Sequence, residues 1–152
     1  MDTSRLSLQP VAASDFEAML AIRIEALQPS LERLGRFDPD RARDRLAAAF
    51  MPSHMQHIVL DGTTRIGFVT IKPEGDDALR LDHLYLRDGY QGLGIGAWVM
   101  AWVQNQAADR TVKVTALKHS DANRFYQRHG FVLEGEETWD VHYRWAPVGA
   151  AP

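Results

Sequence analysis

Apolar and polar positions along the chain change period several times, and each change marks an element. Residues 5 to 10 alternate, with Leu6 and Leu8 to one side, and predict a first strand. From Phe16 the period becomes helical: Phe16, Met19, Leu20, Ile24 and Leu27 share one face. Ser14-Asp15-Phe16-Glu17 reads as a capping box, the Ser14 hydroxyl taking a free N–H and Glu17 reaching back. This helix is expected to stop before Pro29. Arg23 lies inside the apolar stripe, which leaves open a substrate contact or an arginine that snorkels to the edge. A short helix and loop over 30–37 lead to Asp38-Pro39, a second helix start with Asp38 as cap. Its stripe is Ala42, Leu46 and Phe50.

The middle of the chain reads as strands. His57 to Leu60 and Arg65 to Ile71 flank Asp61-Gly62, a hairpin signal. A turn over 73–77 leads into a strand from Leu79 to Leu86. A polar link, Arg87-Asp88-Gly89-Tyr90, precedes Gln91-Gly92-Leu93-Gly94-Ile95-Gly96, and an apolar run of helical length follows from Ala97 to Ala108. Thr111 to Leu117 is the next strand and Ser120 to His129 a further helix, with Gly130 placed to end it. Phe131 to Leu133 and Thr138 to Trp145 are two closing strands. A strand, a crossover helix and a strand make a parallel pair, so the Leu79–Leu86 strand is expected to be antiparallel to one neighbour and parallel to the other. The fold class is α/β with a mixed sheet (α+β in its antiparallel part), about seven strands and four helices. One domain over 1–146 and a short disordered tail over 147–152 account for the chain.

The glycine-rich turn carries the first chemical signal. Glycine lets backbone approach a ligand closely, and the first turn of a helix presents free N–H groups at the positive end of its dipole. Together they make a seat for phosphate or pyrophosphate, although three alternating glycines also suit a merely tight turn. The dinucleotide fingerprint requires Gly-x-Gly-x-x-Gly and an acidic residue about 20 positions later; the spacing Gly92, Gly94, Gly96 and the acid-free segment around Lys113 do not meet it. Ala97-Trp98 stands where a nucleoside-triphosphate loop requires Lys-Ser or Lys-Thr.

Composition narrows the chemistry further. The 152 residues suffice for one domain with a sizeable core, and a net charge of −3 does not favour a broad nucleic-acid surface. The absence of cysteine removes a disulfide framework, a thiolate metal site and an acyl-cysteine route, and no metal is called for. No apolar run is long enough to span a membrane and the start does not lead into a signal-peptide core, so a cytoplasmic protein is expected.

Two motifs in order carry a resemblance. Gln91-Gly92-Leu93-Gly94-Ile95-Gly96 is similar to the Gln/Arg-x-x-Gly-x-Gly/Ala signature of the GNAT superfamily of N-acyltransferases. One crossover later, Ala122-Asn123-Arg124-Phe125-Tyr126-Gln127-Arg128-His129-Gly130-Phe131 resembles the second signature of that family, and the order of elements resembles its fold over nearly the whole chain. The resemblance implies an acetyl-coenzyme A site. Gln91 to Gly96 and Ala97 would take the pyrophosphate, the edge of Leu84, Tyr85 and Leu86 would pair with the pantetheine arm, and Tyr126 would protonate the departing thiolate. The activity implied is transfer of an acetyl group to a primary amine by direct attack, on a small molecule, amino acid, peptide or protein. The alternative is an idle acyl-coenzyme A sensor or docking module. A homodimer is also implied as a family habit.

The chain departs from the family at two points. His119 stands where an asparagine is usual, and Asn123 or Ser120 would have to supply the polar group. Arg80 stands where some members carry a glutamate base, and arginine cannot accept a proton. A lysine-like amine has a pKa of about 10.4, so keeping it neutral at pH 7 costs roughly 4.6 kcal/mol, and a base is useful. His83, Asp82, Asp140 and His142 are the candidates. His83 is nearest in sequence to the expected acyl position, and Asp82 and His83 must point to opposite sheet faces. Glu134, Glu136 and Glu137 either flank a loop or bind a cationic acceptor.

Overall fold

A computed structural model describes residues 1–148. The elements are β1 (Leu6–Pro10), α1 (Phe16–Arg33), α2 (Pro39–Ala49), β2 (Met55–Leu60), β3 (Thr64–Glu74), β4 (Ala78–Leu86), α3 (Ile95–Ala107), β5 (Thr111–Leu117), α4 (Ala122–Arg128), β6 (Val132–Glu136) and β7 (Asp140–Trp145). The seven strands form one mixed sheet in the order β1-β2-β3-β4-β5-β7-β6. The chain divides into two compact units, Met1–Thr70 with His83–Gly96, and Ile71–Asp82 with the chain from Ala97 onward. The strands β3 and β4 contribute residues to both. The expected tail reaches residues 149–152, which lie outside the described residues.

In the first unit β1, β2 and β3 are antiparallel, with Leu6 opposite Leu60 and Met55 opposite Thr70. The Asp61-Gly62 turn has both residues in the left-handed region, φ 54° and 76°, the conformation a tight hairpin needs. The core gathers Val11, Met19, Leu20, Ile22, Leu46, Met55 and Phe68, with Phe16, Phe50 and Tyr85 packed against it. The helical stripe thus includes Ile22, which the period alone does not single out.

Two features of α1 differ from expectation. The helix continues through Pro29 to Arg33. A proline ring removes one backbone bond, and the turn around it is held by Gln28 Nε2 donating to Glu32 Oε1 (2.7 Å) and Arg33 Nη2 to Ser30 Oγ (3.1 Å). The helix ends instead where Gly35 turns left-handed at φ 67°. At the N-terminus Ser14 lies inside a 3₁₀ turn, Ala13–Asp15, and it is Asp15 that accepts the Ala12 N–H at 2.8 Å. Glu17 does not reach back; it pairs with Arg43 on α2 at 2.6 and 2.9 Å.

Asp15 has a second task. Its Oδ2 lies 2.9 Å from His57 Nε2 and its Oδ1 accepts from Arg65 Nη1 at 3.0 Å. His57 is 1% exposed. The hydrogen bond from His57, then the Ala12 N–H and Arg65, hold the Asp15 carboxyl at about 2. Arg23 is also buried and donates from Nη1 to the Ala42 carbonyl at 3.1 Å, which ties α1 to α2.

In the second unit β4 and β5 are parallel, Ala78 opposite Thr111 through Leu81 opposite Val114, as the crossover reading requires. The strand β7 is antiparallel to both β5 and β6. The buried side is built from Leu79, Leu81, Val112, Val114, Val141 and Tyr143. The closing strands differ from the sequence reading: β6 extends to Glu136 with a bulge at Glu134, and β7 begins at Asp140. Glu134 and Glu136 are therefore strand residues. Glu134 meets Lys113 (3.3 Å) and Arg144 (3.7 Å), and Glu136 meets Lys118 (3.7 Å).

Candidate functional site

The glycine turn belongs to the first unit, at the end of β4. Its geometry follows from three anchors. The Arg87 N–H donates to the Ile66 carbonyl at 2.8 Å and the Arg87 carbonyl accepts from Tyr90 at 3.1 Å. The Gln91 side chain folds back, Nε2 to the Leu86 carbonyl at 3.3 Å. Ile95 is fully buried and starts α3 two residues earlier than the apolar run predicts. Between Gln91 and Ile95 the chain is exposed, and Gly92 and Gly94 are left-handed, φ 74° and 83°, with nothing within 4 Å of where a Cβ would stand. Leu93 is 42% exposed between them. The glycines are needed for the path of the backbone, and the space beside them is open. The N–H groups of Ile95 and Gly96 lie in the first turn of a helix, where no intrahelical partner exists. Such a turn suits an anionic group of pyrophosphate size.

The strand leading into this turn is held from the β3 side. A Cβ on Gly67 would overlap the Tyr85 carbonyl oxygen and meet Leu86 Cδ2 at 3.0 Å, so only glycine lets β3 approach β4 here. His83 is 7% exposed, with Nδ1 2.9 Å from Thr70 Oγ1. Its ring and that of Tyr85 each pack on Phe68, at 5.8 and 5.4 Å. His83 faces this aromatic cluster, whereas Asp82 pairs with Lys72 at 3.4 Å.

The second unit carries Tyr126 and Asn123. Tyr126 is buried on α4, its ring 5.5 Å from Phe131 and 6.1 Å from Tyr143. The Tyr126 carbonyl accepts the Phe131 N–H at 3.0 Å, and Gly130 between them is left-handed at φ 87°, as the sequence predicts. Asn123 holds the turn between β5 and α4: Nδ2 donates to the Leu117 and Ser120 carbonyls at 3.0 and 2.9 Å, and Oδ1 accepts from the Tyr143 hydroxyl at 2.7 Å. His119 sits in this turn at φ 65°, a conformation that costs a non-glycine residue energy. Arg80 is bonded to Glu74 at 3.0 and 3.2 Å and to Thr115 Oγ1 at 3.1 Å. His142 joins Thr115 and Glu137. Strand register brings Thr115 and His142 together, and hydropathy along one strand carries no signal for that.

The family model of the acetyltransferase (GNAT) domain matches residues 53–133, more than half of the chain. The chain belongs to the GNAT acetyltransferase family. The matched span contains β4, the glycine turn and α4 with Tyr126. Among solved structures the chain is similar to the PaiA N-acetyltransferase from Thermoplasma acidophilum, solved in complex with coenzyme A (TM-score 0.75, 14% identity, covering 93% of this chain and 99% of that one). It is similar to an acetyltransferase from Thermus thermophilus (TM-score 0.75, 18% identity, 97% and 100% covered) and to Ard1 from Thermoplasma volcanium (TM-score 0.66, 15% identity, 95% and 99% covered). At these identities the likeness is one of fold. No curated protein matches the chain in sequence. Among the described residues of this GNAT domain, no helix is long and apolar enough to cross a membrane.

Proposed function

We propose that the chain is an N-acetyltransferase that moves an acetyl group from acetyl-coenzyme A to a primary amine by direct attack. The observation that carries this reading is the turn from Gln91 to Gly96: two left-handed glycines with open space beside them, opening a helix, in a chain of the GNAT family. The donor supplies a thioester carbonyl and a thiolate leaving group. Gln91, Gly92, Leu93, Gly94, Ile95, Gly96 and Ala97 would hold the pyrophosphate through backbone N–H groups. The backbone of Leu84, Tyr85 and Leu86 would pair with the pantetheine amides in the manner of an added strand, and an N–H of that strand would stabilise the oxyanion.

Tyr126 is assigned the proton donor to the thiolate, a task a phenol can perform through a short hydrogen bond. Asn123 is assigned a positioning role, since its amide bonds hold the turn that starts the helix of Tyr126. His83 is assigned to the support of β4, through Thr70 and Phe68.

Thermal unfolding with acetyl-coenzyme A, coenzyme A, ATP and NAD tests the reading. A ligand at about 100 times its Kd stabilises by roughly 2.7 kcal/mol. Stabilisation by the coenzyme A pair alone is expected. Equal shifts with ATP or NAD, or none with coenzyme A, would refute the cofactor. Binding without release of thiol in the presence of amines would leave a sensor or docking module.

A further inference from the structure

A primary amine attacks only after it has lost a proton, and a chain of side chains across the second unit's sheet is built to receive one. His142 on β7 stands opposite Thr115 on β5. Its Nδ1 lies 2.8 Å from Thr115 Oγ1, and its Nε2 lies 2.9 Å from Glu137 Oε2 in the turn before β7. Arg80 Nη1 donates to the same Thr115 hydroxyl at 3.1 Å. Thr115 is exposed to solvent.

The hydrogens follow from what each group can do. An ionised carboxylate only accepts, so the imidazole hydrogen is on Nε2 and faces Glu137. A neutral His142 then has a bare Nδ1, and the Thr115 O–H donates to it. The hydroxyl oxygen has two lone pairs; Arg80 occupies one, and the other is left for an incoming N–H. The Arg80 charge is matched by Glu74, held below the ordinary carboxyl range first by its hydrogen bond from Arg80. Of the other charged groups near this chain, Lys113 and Arg144 are tied to Glu134, and Lys72, which also acts on Glu74, pairs with Asp82. An ammonium or a guanidinium only donates, and Tyr126 has the opposite task of giving a proton.

We propose that Thr115, His142 and Glu137 form a proton relay that deprotonates the acceptor amine, an inference that rests on the acetyltransferase reading. As the acceptor's N–H bond breaks, its proton passes to Thr115 Oγ1, and the Thr115 hydroxyl proton passes to His142 Nδ1. The amine nitrogen keeps the electron pair with which it attacks. The resulting imidazolium is stabilised by Glu137, and its proton returns to water after transfer. Thr115 is the group that touches the acceptor; His142 and Glu137 act through it.

Two measurements test the relay. The first uses ¹⁵N chemical shifts of the His142 ring in the protein without ligands, at a pH where the ring is neutral. The relay requires hydrogen on Nε2. Hydrogen on Nδ1 overturns it, because Nδ1 would then donate to Thr115 and could not receive a proton. The second follows acetyl transfer to ethylamine, lysine, putrescine and a lysine-containing peptide across pH, for the wild type, Thr115→Val and His142→Gln. Loss of a positioned base is expected to lower kcat/KM by about 10²-fold or more at neutral pH. The acid limb in the range where imidazoles titrate is expected to vanish, so that the rate climbs only with the fraction of free amine. Acetyl-coenzyme A affinity is expected to stay at its wild-type value, and the melting temperature to fall by no more than a few degrees, since the bonds lost are exposed ones. A wild-type pH profile in Thr115→Val overturns the relay and leaves the acetyltransferase reading standing. Coenzyme binding with no amine acetylated at any pH overturns the relay and acetyl transfer together and leaves a coenzyme-binding module. Failure to bind acetyl-coenzyme A at all would instead overturn the functional reading, and the relay with it.

Discussion

The Tyr143 hydroxyl donates to Asn123 Oδ1 at 2.7 Å, and the Tyr143 ring lies 6.1 Å from that of Tyr126. One side chain on β7 therefore secures both the turn that begins α4 and the tyrosine that α4 carries. Tyr143→Phe removes one hydrogen bond to a partly buried oxygen, a loss of about 1 kcal/mol, or about 2–4 °C in melting temperature. Asn123→Ala removes the bonds to Leu117 and Ser120 as well and is expected to lower stability and turnover further. Calorimetry and thiol release together check this. The Tyr143 phenol is held above its ordinary value first by burial and then by Glu136. A raised pKa means that its contribution is complete below about pH 10 and is lost as pH rises through the raised value.

Gly67→Ala places a methyl group on the Tyr85 carbonyl oxygen. The opposing atom is backbone, so β3 and β4 must move apart. Overpacking of this kind costs about 1–3 kcal/mol. The same shift disturbs the edge of Leu84 to Leu86, so acetyl-coenzyme A affinity is expected to fall with the melting temperature. A variant with normal affinity would separate that edge from the pantetheine site.

Gly94 tests the turn with less disturbance of the fold, since the space beside it is open. Gly94→Ala must hold φ near 83°, at a cost of about 1–2 kcal/mol. Gly94→Glu adds length and a negative charge and is expected to abolish cofactor binding. Isothermal titration that finds both variants equal in affinity would refute an anion seat at this turn.

Asp15 sets an acid limit on stability. Its folded pKa is depressed to about 2 by the bond from His57, the Ala12 N–H and Arg65. A depressed carboxyl stabilises above its unfolded value, near 3.9, and the contribution is lost as pH falls through about 2. The size is roughly 2 kcal/mol. Asp15→Asn is expected to be less stable than wild type above pH 4, the two converging near pH 2, as read by denaturant unfolding at each pH.

Local chemistry made much of this molecule legible from sequence. Thr111–Leu117 is the strand its alternation predicts, Asp38 caps α2 ahead of Pro39 with bonds to Asp40 and Arg41, and Asp61-Gly62 turns the first hairpin. The glycine turn was readable because its conformation is dictated by residues adjacent in the chain. Pro29 is a local exception: by itself it ends a helix, yet Gln28 with Glu32 and Arg33 with Ser30 bridge the turn around it. The rest of what escaped depends on partners far away in sequence. Ser14 satisfies the capping pattern, yet Asp15 is the residue with His57 and Arg65 within reach. Gly67 looks like an ordinary strand glycine until β4 lies beside it. Thr115 acquires a role only once register sets His142 opposite and Arg80 alongside.

The most direct test of the central claim is release of the coenzyme A thiol from acetyl-coenzyme A, with and without amine, by the wild type and by Tyr126→Phe, with the Kd of each measured in parallel. The account predicts amine-dependent release by the wild type, and a fall of about 10²-fold or more in the variant at unchanged affinity. Undiminished release by Tyr126→Phe, or a fall explained by lost binding, would contradict the role given to this tyrosine; no release by the wild type with any amine would contradict acetyl transfer itself.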